Sequence, residues 1–136
     1  MTDAEWRAFV SDGTRTGKLS TVRRDGSPHI APMWFLLDGD RVMFNTDFGS
    51  VKARNLRRDN RYTFCIDSDQ PPFAFVVISG TAHLTEGSPL VEQWASRIGA
   101  RYMGQDRAAE FGTRNGGELL VQADIDTVIA YTGVTD

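Results

Sequence analysis

Apolar and polar residues change their spacing several times along the 136-residue chain, and each change predicts a structural element. Thr2 and Glu5 form a capping-box pattern ahead of apolar residues at helical spacing, which predicts a short helix at the start of the chain. Three runs rich in apolar and β-branched residues follow, at 16–23, 28–37 and 40–46. Asp-Gly pairs, a strong hairpin signal, separate these runs. We therefore expect three antiparallel strands in this part of the chain.

The rest of the chain alternates between strand and helix patterns. Ser50 is a good N-cap for a helix over 50–59, and Ser88 followed by Pro89 opens a longer helix. The polar, glycine-rich segment 112–117 is predicted to be a connector. Further strands are predicted at 61–67, 73–84 and 118–131. About six strands with three or fewer helices indicate a small closed or nearly closed β-barrel of the α+β class.

The bulk composition limits the classes of protein to consider. The length predicts one domain over 1–136, and a net charge of −3 argues against a nucleic-acid-binding surface. The single cysteine, Cys65, suits a reducing cytoplasm, and we expect neither a secretory leader nor a membrane span. His29 and His83 lie far apart in predicted strands, so no metal site is expected.

Segment 45–61 carries an unusual concentration of positive charge in a mildly acidic chain. Lys52 and Arg54 fall in the first turn of the predicted helix, where the helix dipole disfavours cations. The same turn offers free backbone N–H groups, the Ser50 hydroxyl and, on the preceding strand, Thr46. This combination indicates a phosphate site, because a bound anion would neutralise the cations. The alternative is a solvated basic helix face.

A flat ring could bind close by. Pro32 stands inside a predicted strand, and a proline there indicates a sheet edge, a bulge or the close approach of another group. Trp34 lies beside it in "HIAPMWF". A flat ring stacked against this strand would explain both residues.

The segment "LSTVRRDGSPHIAPMWFLLDGDRVMFNTDFGSVKARNLRRDNR" resembles the flavin and deazaflavin split-barrel superfamily that includes the pyridoxamine 5′-phosphate oxidases. It is most similar to the actinobacterial branch of oxidoreductases that depend on the deazaflavin coenzyme F420. The resemblance implies an α+β fold that is mainly antiparallel β, a six- to seven-stranded split β-barrel with a few peripheral helices. It also implies a homodimer with the cofactor in a groove between the subunits.

The resemblance also implies roles for individual residues. The cofactor phosphate would be held by Thr46, Ser50 and Lys52, with Arg54 and Arg58 as further candidates for the phosphate or for an acidic tail. The edge of the cofactor ring would be contacted by Pro32, Met33 and Trp34. The groove wall supplied by the partner subunit would include Trp94 and Tyr102.

The chain departs from the oxidases at positions that matter for the cofactor. Ala31 and Leu36 stand where the oxidases carry an arginine and a lysine that grip flavin and substrate, which disfavours FMN and vitamin B6 oxidation. The resemblance therefore implies a reductase that transfers a hydride from reduced deazaflavin to a conjugated or quinone-like small molecule, with His29 as a candidate proton donor. The alternatives are an FMN-binding oxidoreductase and a non-catalytic flavin-, deazaflavin- or haem-binding module.

Overall fold

The computed structural model describes residues 1–135, which form eight strands and four α-helices. The strands are β1 (Gly17–Val22), β2 (Pro28–Met33), β3 (Leu36–Asp38), β4 (Arg41–Thr46), β5 (Arg61–Asp67), β6 (Phe75–Thr85), β7 (Leu119–Asp124) and β8 (Thr127–Tyr131). The helices are α1 (Asp3–Ser11), α2 (Val51–Arg58), α3 (Pro89–Met103) and α4 (Ala108–Asn115). The predicted α+β class with mainly antiparallel strands is confirmed.

All strands belong to one antiparallel sheet that curls into a half-barrel. The strand order is β2-β1-β5-β6-β7-β4-β3, and β8 pairs with β6. Strand β6 is long enough to serve both halves of the sheet: Phe75–Ser79 pairs with β8, and Ala82–Thr85 pairs with β7. Gly80 lies between these two segments. Strand β2 is at the end of the order, so of the three possibilities that Pro32 raised the structure shows the sheet edge.

Two predicted strands are interrupted in the structure. The predicted strand over 28–37 breaks after Met33 because side chains, rather than a neighbouring strand, bind the backbone of Phe35. The hydroxyl oxygen of Tyr102 accepts its N–H at 3.2 Å, and Arg101 donates to its carbonyl oxygen at 2.7 Å. The predicted strand over 118–131 is likewise divided, into β7 and β8, which pair with different segments of β6.

Helix α4 was not expected, so the prediction of three or fewer helices was wrong. The polar residues of 112–117 suggested a connector. Ala108 and Phe111 are buried on one face of the helix, but this apolar face is too short to reveal a helix in the sequence. Gly99 on α3 allows this close packing, because a Cβ atom there would lie 2.4 Å from Cβ of Phe111. Helix α4 is therefore stabilised by α3 rather than by its own sequence.

The helix caps follow the sequence closely. Thr2 and Glu5 make both hydrogen bonds of the capping box at the start of α1. Ser50 caps α2 by accepting the N–H of Ala53 at 3.1 Å, as predicted. Helix α2 is tied to β1 by the buried side chain of Asn55, whose amide donates to the Thr21 hydroxyl at 3.0 Å. No helix in residues 1–135 is long and apolar enough to cross a membrane.

Candidate functional site

The end of β4 and the start of α2 bring two hydroxyl groups together. Thr46 Oγ1 and Ser50 Oγ lie 2.9 Å apart, and one of the two donates to the other. This contact uses one hydroxyl hydrogen, and the Ser50 oxygen already accepts the N–H of Ala53. The second hydroxyl hydrogen of the pair is therefore left to donate to an external acceptor. These two predicted residues lie together, and Thr46 itself is buried.

Lys52 and His29 lie close enough to influence each other's charge. Thr21 pairs with His29 across β1 and β2, and Thr21 also holds α2, so His29 lies on the sheet face that α2 covers. The pKa of His29 is lowered by burial and, after that, by the positive charges of Arg23 and Lys52. Its Nδ1 atom is buried and has no hydrogen-bond partner among residues 1–135. An anion bound beside Lys52 would offset the positive charges that lower the pKa of His29, and it would give the Nδ1 atom a hydrogen-bond partner.

Lys52 also influences an acidic residue. Burial raises the pKa of Glu118, Asp47 adds to the rise, and Lys52 opposes it. In the part of the chain that the structure describes, Lys52 makes no ion pair with a carboxylate. Its charge is therefore available to a ligand.

We predict that His29→Gln makes the protein less sensitive to acid. The pKa of His29 in the fold lies below its ordinary value of 6.5, so the unfolded chain binds the proton first as the pH falls. Stability is therefore lost as the pH drops below about 6.5, and the variant should lose less of it. Urea denaturation between about pH 7 and pH 5 measures the difference. His83→Gln, on β6, is the control, and an equal acid response in wild type and His29→Gln would contradict the prediction.

A second feature is a cleft between α2 and the turn that joins β1 to β2, which we call the arginine cleft. Its volume is about 610 Å³, and it is lined by Arg23, Arg24, Val51, Arg54, Asn55, Arg57 and Arg58. Arg54 donates to the backbone carbonyl of Gly49 at 3.0 Å, and Arg57 and Arg58 also donate to backbone carbonyls. These contacts hold the guanidinium groups in place without neutralising their charge. Among the lining residues there is no acidic side chain.

Sequence reasoning found only part of the arginine cleft. Arg54 and Arg58 were candidates, and the structure brings them together. Arg23 and Arg24 were missed, although their position just before an Asp-Gly turn was a visible signal. What the sequence could not reveal is that the Thr21–Asn55 contact places this turn against α2.

A third feature, which we call the aromatic cleft, opens where the sheet splits beyond the end of β2. Strands β3 and β4 pair from Leu36 opposite Met43, but the ladder does not continue to Trp34 and Asn45. A cleft of about 230 Å³ lies there instead. It is lined by Pro32, Met33, Trp34, Asn45, Ala95, Ile98, Gly99, Phe111 and Asn115. The three residues predicted to contact a ring are thus together, whereas Asn45, Phe111 and Asn115 were missed.

Trp34 is held by aromatic neighbours of the same chain. Its ring stacks on Tyr102 with centroids 5.0 Å apart and planes within 2°, and it meets Phe111 edge-on at 5.6 Å. The Tyr102 hydroxyl donates to the carbonyl of Arg15 at 2.8 Å while accepting the N–H of Phe35. Burial raises the pKa of this hydroxyl. Tyr102 therefore fixes the position of the Trp34 ring.

Trp94 lies in the core rather than in a cleft. Its side chain is 7% exposed and packs with Met43, Val91 and Leu120 between α3 and the sheet. The guanidinium of Arg97 covers its ring at 3.9 Å from the centroid. Little of the Trp94 ring is left for another molecule. The predicted contact of Trp94 and Tyr102 with a partner subunit stays a prediction.

Residues 2–131 match the family model described as pyridoxamine 5′-phosphate oxidase. The chain belongs to this family. The predicted membership of the pyridoxamine phosphate oxidase-like split-barrel superfamily is confirmed, and the match spans both clefts and the start of α2.

Solved structures show the same fold in proteins with different described roles. A conserved hypothetical protein of Mycobacterium tuberculosis is 26% identical, with a TM-score of 0.86 over 98% of this chain and 86% of that one. A protein described as an F420 reductase is 20% identical, with a TM-score of 0.70 over 90% and 94% of the two chains. The haem storage protein of Vibrio cholerae is 17% identical, with a TM-score of 0.76 over 98% of each chain. The likeness to the last two establishes the fold alone.

Proposed function

We propose that this protein is a reductase that uses reduced deazaflavin coenzyme F420 to reduce a conjugated or quinone-like small molecule. The observation that carries the proposal is the arginine cleft beside α2. The Thr46–Ser50 hydroxyl pair and Lys52 lie at the start of the same helix. FMN ends at its phosphate, whereas the deazaflavin continues into an arm with several carboxylates. Within residues 1–135, the guanidinium groups of this row form no ion pair with a carboxylate. Such a row suits the arm, because Arg binds carboxylates with paired hydrogen bonds.

The residues of the chain fit this cofactor in three places. Thr46, Ser50 and Lys52 would hold the phosphate, and the buried Nδ1 atom of His29 offers an unused polar group beside them. Arg54 and Arg58 would bind the arm. The ring edge would be contacted by Pro32, Met33 and Trp34.

When bound, the cofactor supplies the hydride, and the chain binds and orients the reactants and excludes water. His29 stays the candidate proton donor. Its lowered pKa leaves the free protein mainly with neutral imidazole at neutral pH, and a bound phosphate would raise that pKa again.

A parallel titration of the purified protein with the deazaflavin and with FMN tests the proposal through cofactor fluorescence. We expect the deazaflavin to bind with a dissociation constant on the order of 1 μM, and FMN to bind at least about tenfold more weakly. Preference for FMN would favour the second candidate, an FMN oxidoreductase, which the family match supports. If neither cofactor bound, segment 45–61 would be a solvated basic face.

Arg54→Ala should weaken binding of the deazaflavin about three- to tenfold and leave FMN binding unchanged, because only the deazaflavin has the anionic arm. Arg58→Ala should act in the same direction, although Arg58 also holds the carbonyl of Val22. Arg97→Ala, on the exposed side of α3, is the matched control. Equal losses for the two cofactors would refute the role of the arm.

We also propose that the protein acts as a homodimer in the cytoplasm. Ile129 and Tyr131 on β8 are 49% and 57% exposed, and they alternate with Val128 and Ala130, which pack on the core. Exposed apolar side chains on one face of a strand support self-association. Sedimentation would refute the dimer if the protein were monomeric at micromolar concentration.

The free thiol of Cys65 supports the proposed location in the cytoplasm, because it agrees with a reducing compartment.

A further inference from the structure

We propose that the aromatic cleft is a substrate subsite that takes a neutral, planar compound of one or two rings carrying a carbonyl group. The proposal rests on the proposed reductase for its biological meaning, but the cleft can be tested without the cofactor. Its size, its walls and its polar groups each limit the ligand.

The volume of the cleft restricts the ligand to a small molecule. A cavity of about 150 Å³ accommodates a single benzene ring, and pockets for drug-sized ligands run from about 300 to 1,000 Å³. The aromatic cleft, at about 230 Å³, lies between these values. It suits one or two fused rings. A tetrapyrrole would not fit inside it, and the three-ring system of the proposed cofactor would meet it only at the edge.

The walls of the cleft are held in place before any ligand binds. Trp34 is stacked on Tyr102, and the hydroxyl of Tyr102 is bonded to two backbone groups. Phe111 is pressed against Gly99, where even a Cβ atom would lie 2.4 Å from it. Because the Trp34 ring does not have to move, a flat ligand can pack against its exposed surface with little loss of conformational freedom.

The lining determines the polarity of the ligand. None of its nine residues is charged, which favours a neutral compound. Asn45 on β4 and Asn115 at the end of α4 contribute amide groups to an otherwise apolar and aromatic surface. The amide of Asn45 makes one long contact, 3.5 Å to the carbonyl of Val91. Among residues 1–135, the side-chain amide of Asn115 makes no hydrogen bond within the protein, so it can donate to a carbonyl oxygen.

The position of the cleft suits the substrate of the proposed reductase. Pro32, Met33 and Trp34 line the cleft and are also the residues proposed to contact the edge of the cofactor ring, so the cleft adjoins the part of the cofactor that supplies the hydride. Asn45, which lines the cleft, and Thr46 are neighbours on β4. Successive side chains of a strand point to opposite faces, which separates the neutral cleft from the charged groups around α2. Amide donors at the carbonyl oxygen would also stabilise negative charge that develops there during reduction.

Binding of small probes to the cofactor-free protein tests the subsite. Coumarin has two fused rings and a carbonyl group, naphthalene has the rings alone, and haemin is a tetrapyrrole. Calorimetry and quenching of tryptophan fluorescence measure binding. We expect coumarin to bind at least about fivefold more tightly than naphthalene, because one hydrogen bond contributes about that factor to the affinity. Haemin should not displace coumarin. Equal binding of coumarin and naphthalene, or displacement by haemin, would overturn the proposal.

Asn115→Asp examines the amide without changing the size of the cleft. The carboxylate lacks the N–H donor, so coumarin should bind about tenfold more weakly while naphthalene binding stays the same. Gln93→Glu makes the same chemical change on the exposed face of α3 and should alter neither. An unchanged dissociation constant for coumarin in Asn115→Asp would exclude the amide as the donor. Ala95→Leu should block both probes by filling the cleft, and thermal unfolding verifies that this variant is folded.

The outcomes separate this proposal from the proposed function. If coumarin binds but the deazaflavin does not, the reductase is refuted and the cleft stands as a site for carbonyl compounds. If the deazaflavin binds but coumarin does not, the subsite is refuted and the reductase stands.

Discussion

Replacing Gly80 with alanine should cost about 3 kcal/mol or more of folding stability, a large part of the roughly 5–15 kcal/mol available to a domain. A Cβ atom at this point of β6 would lie 2.0 Å from the carbonyl oxygen of Asp124. That oxygen belongs to the backbone of β7 and accepts the hydroxyl of Tyr62 at 2.7 Å. The backbone nearby is also fixed, because the N–H of Asp126 donates to Ser79 at 2.9 Å. Neither strand can move away without breaking these bonds.

Gly49→Ala is the matched control for Gly80→Ala. A Cβ atom at Gly49 would meet no other atom within 4 Å, and its backbone is not in the left-handed region. This variant should stay within about 0.5 kcal/mol of wild type. Urea denaturation of both variants gives the comparison. Near-wild-type stability of Gly80→Ala would mean that β6 and β7 are not as close as described.

Lys52→Met should lower the affinity for the deazaflavin and for FMN by at least about tenfold each, because both cofactors carry the phosphate. A hydrogen bond to a charged group contributes about 1.5–3 kcal/mol, and 1.4 kcal/mol corresponds to a factor of ten. Lys52 is half-buried and makes no ion pair within residues 1–135, so its removal breaks no salt bridge there. Fluorescence titration of both cofactors measures the loss.

The contrast between Lys52 and Arg54 divides the site into two parts. Lys52→Met should weaken both cofactors, and Arg54→Ala only the deazaflavin. Lys18→Met is the control for Lys52, since Lys18 pairs with Asp67 on β5 at 2.9 Å. If Lys52→Met bound both cofactors as wild type does, the phosphate site would have to lie elsewhere.

The parts of the fold that depend on neighbouring residues were predictable. The capping box of Thr2 and Glu5, the cap of α2 at Ser50 and the edge position of Pro32 each follow from a few adjacent residues. The family was recognisable for a similar reason, because its sequence pattern lies in one continuous segment around β1 to α2. The predicted phosphate residues Thr46 and Ser50 are in contact because they are four positions apart and joined by a turn.

The parts that failed depend on distant contacts. Helix α4 forms against Gly99, and the break after Met33 is made by Arg101 and Tyr102 on α3. No local pattern at residues 28–37 or 112–117 encodes these contacts. Trp94 is a separate case: its ring packs against Met43 and Leu120 of the sheet, and its role in the wall of a groove stays a prediction.

Turns, caps and charge clusters are local properties of the chain, so the class of fold, the family and the concentration of positive charge in segment 45–61 could be predicted from the sequence. Which residues surround each cleft depends instead on contacts between distant segments. The turn at Arg23 and Arg24 meets α2 through the Thr21–Asn55 contact, and Trp34 and Asn115 face one cleft although they are far apart in sequence. Such neighbours are set by the packing of helices on a curled sheet, where shape and burial act over the whole molecule.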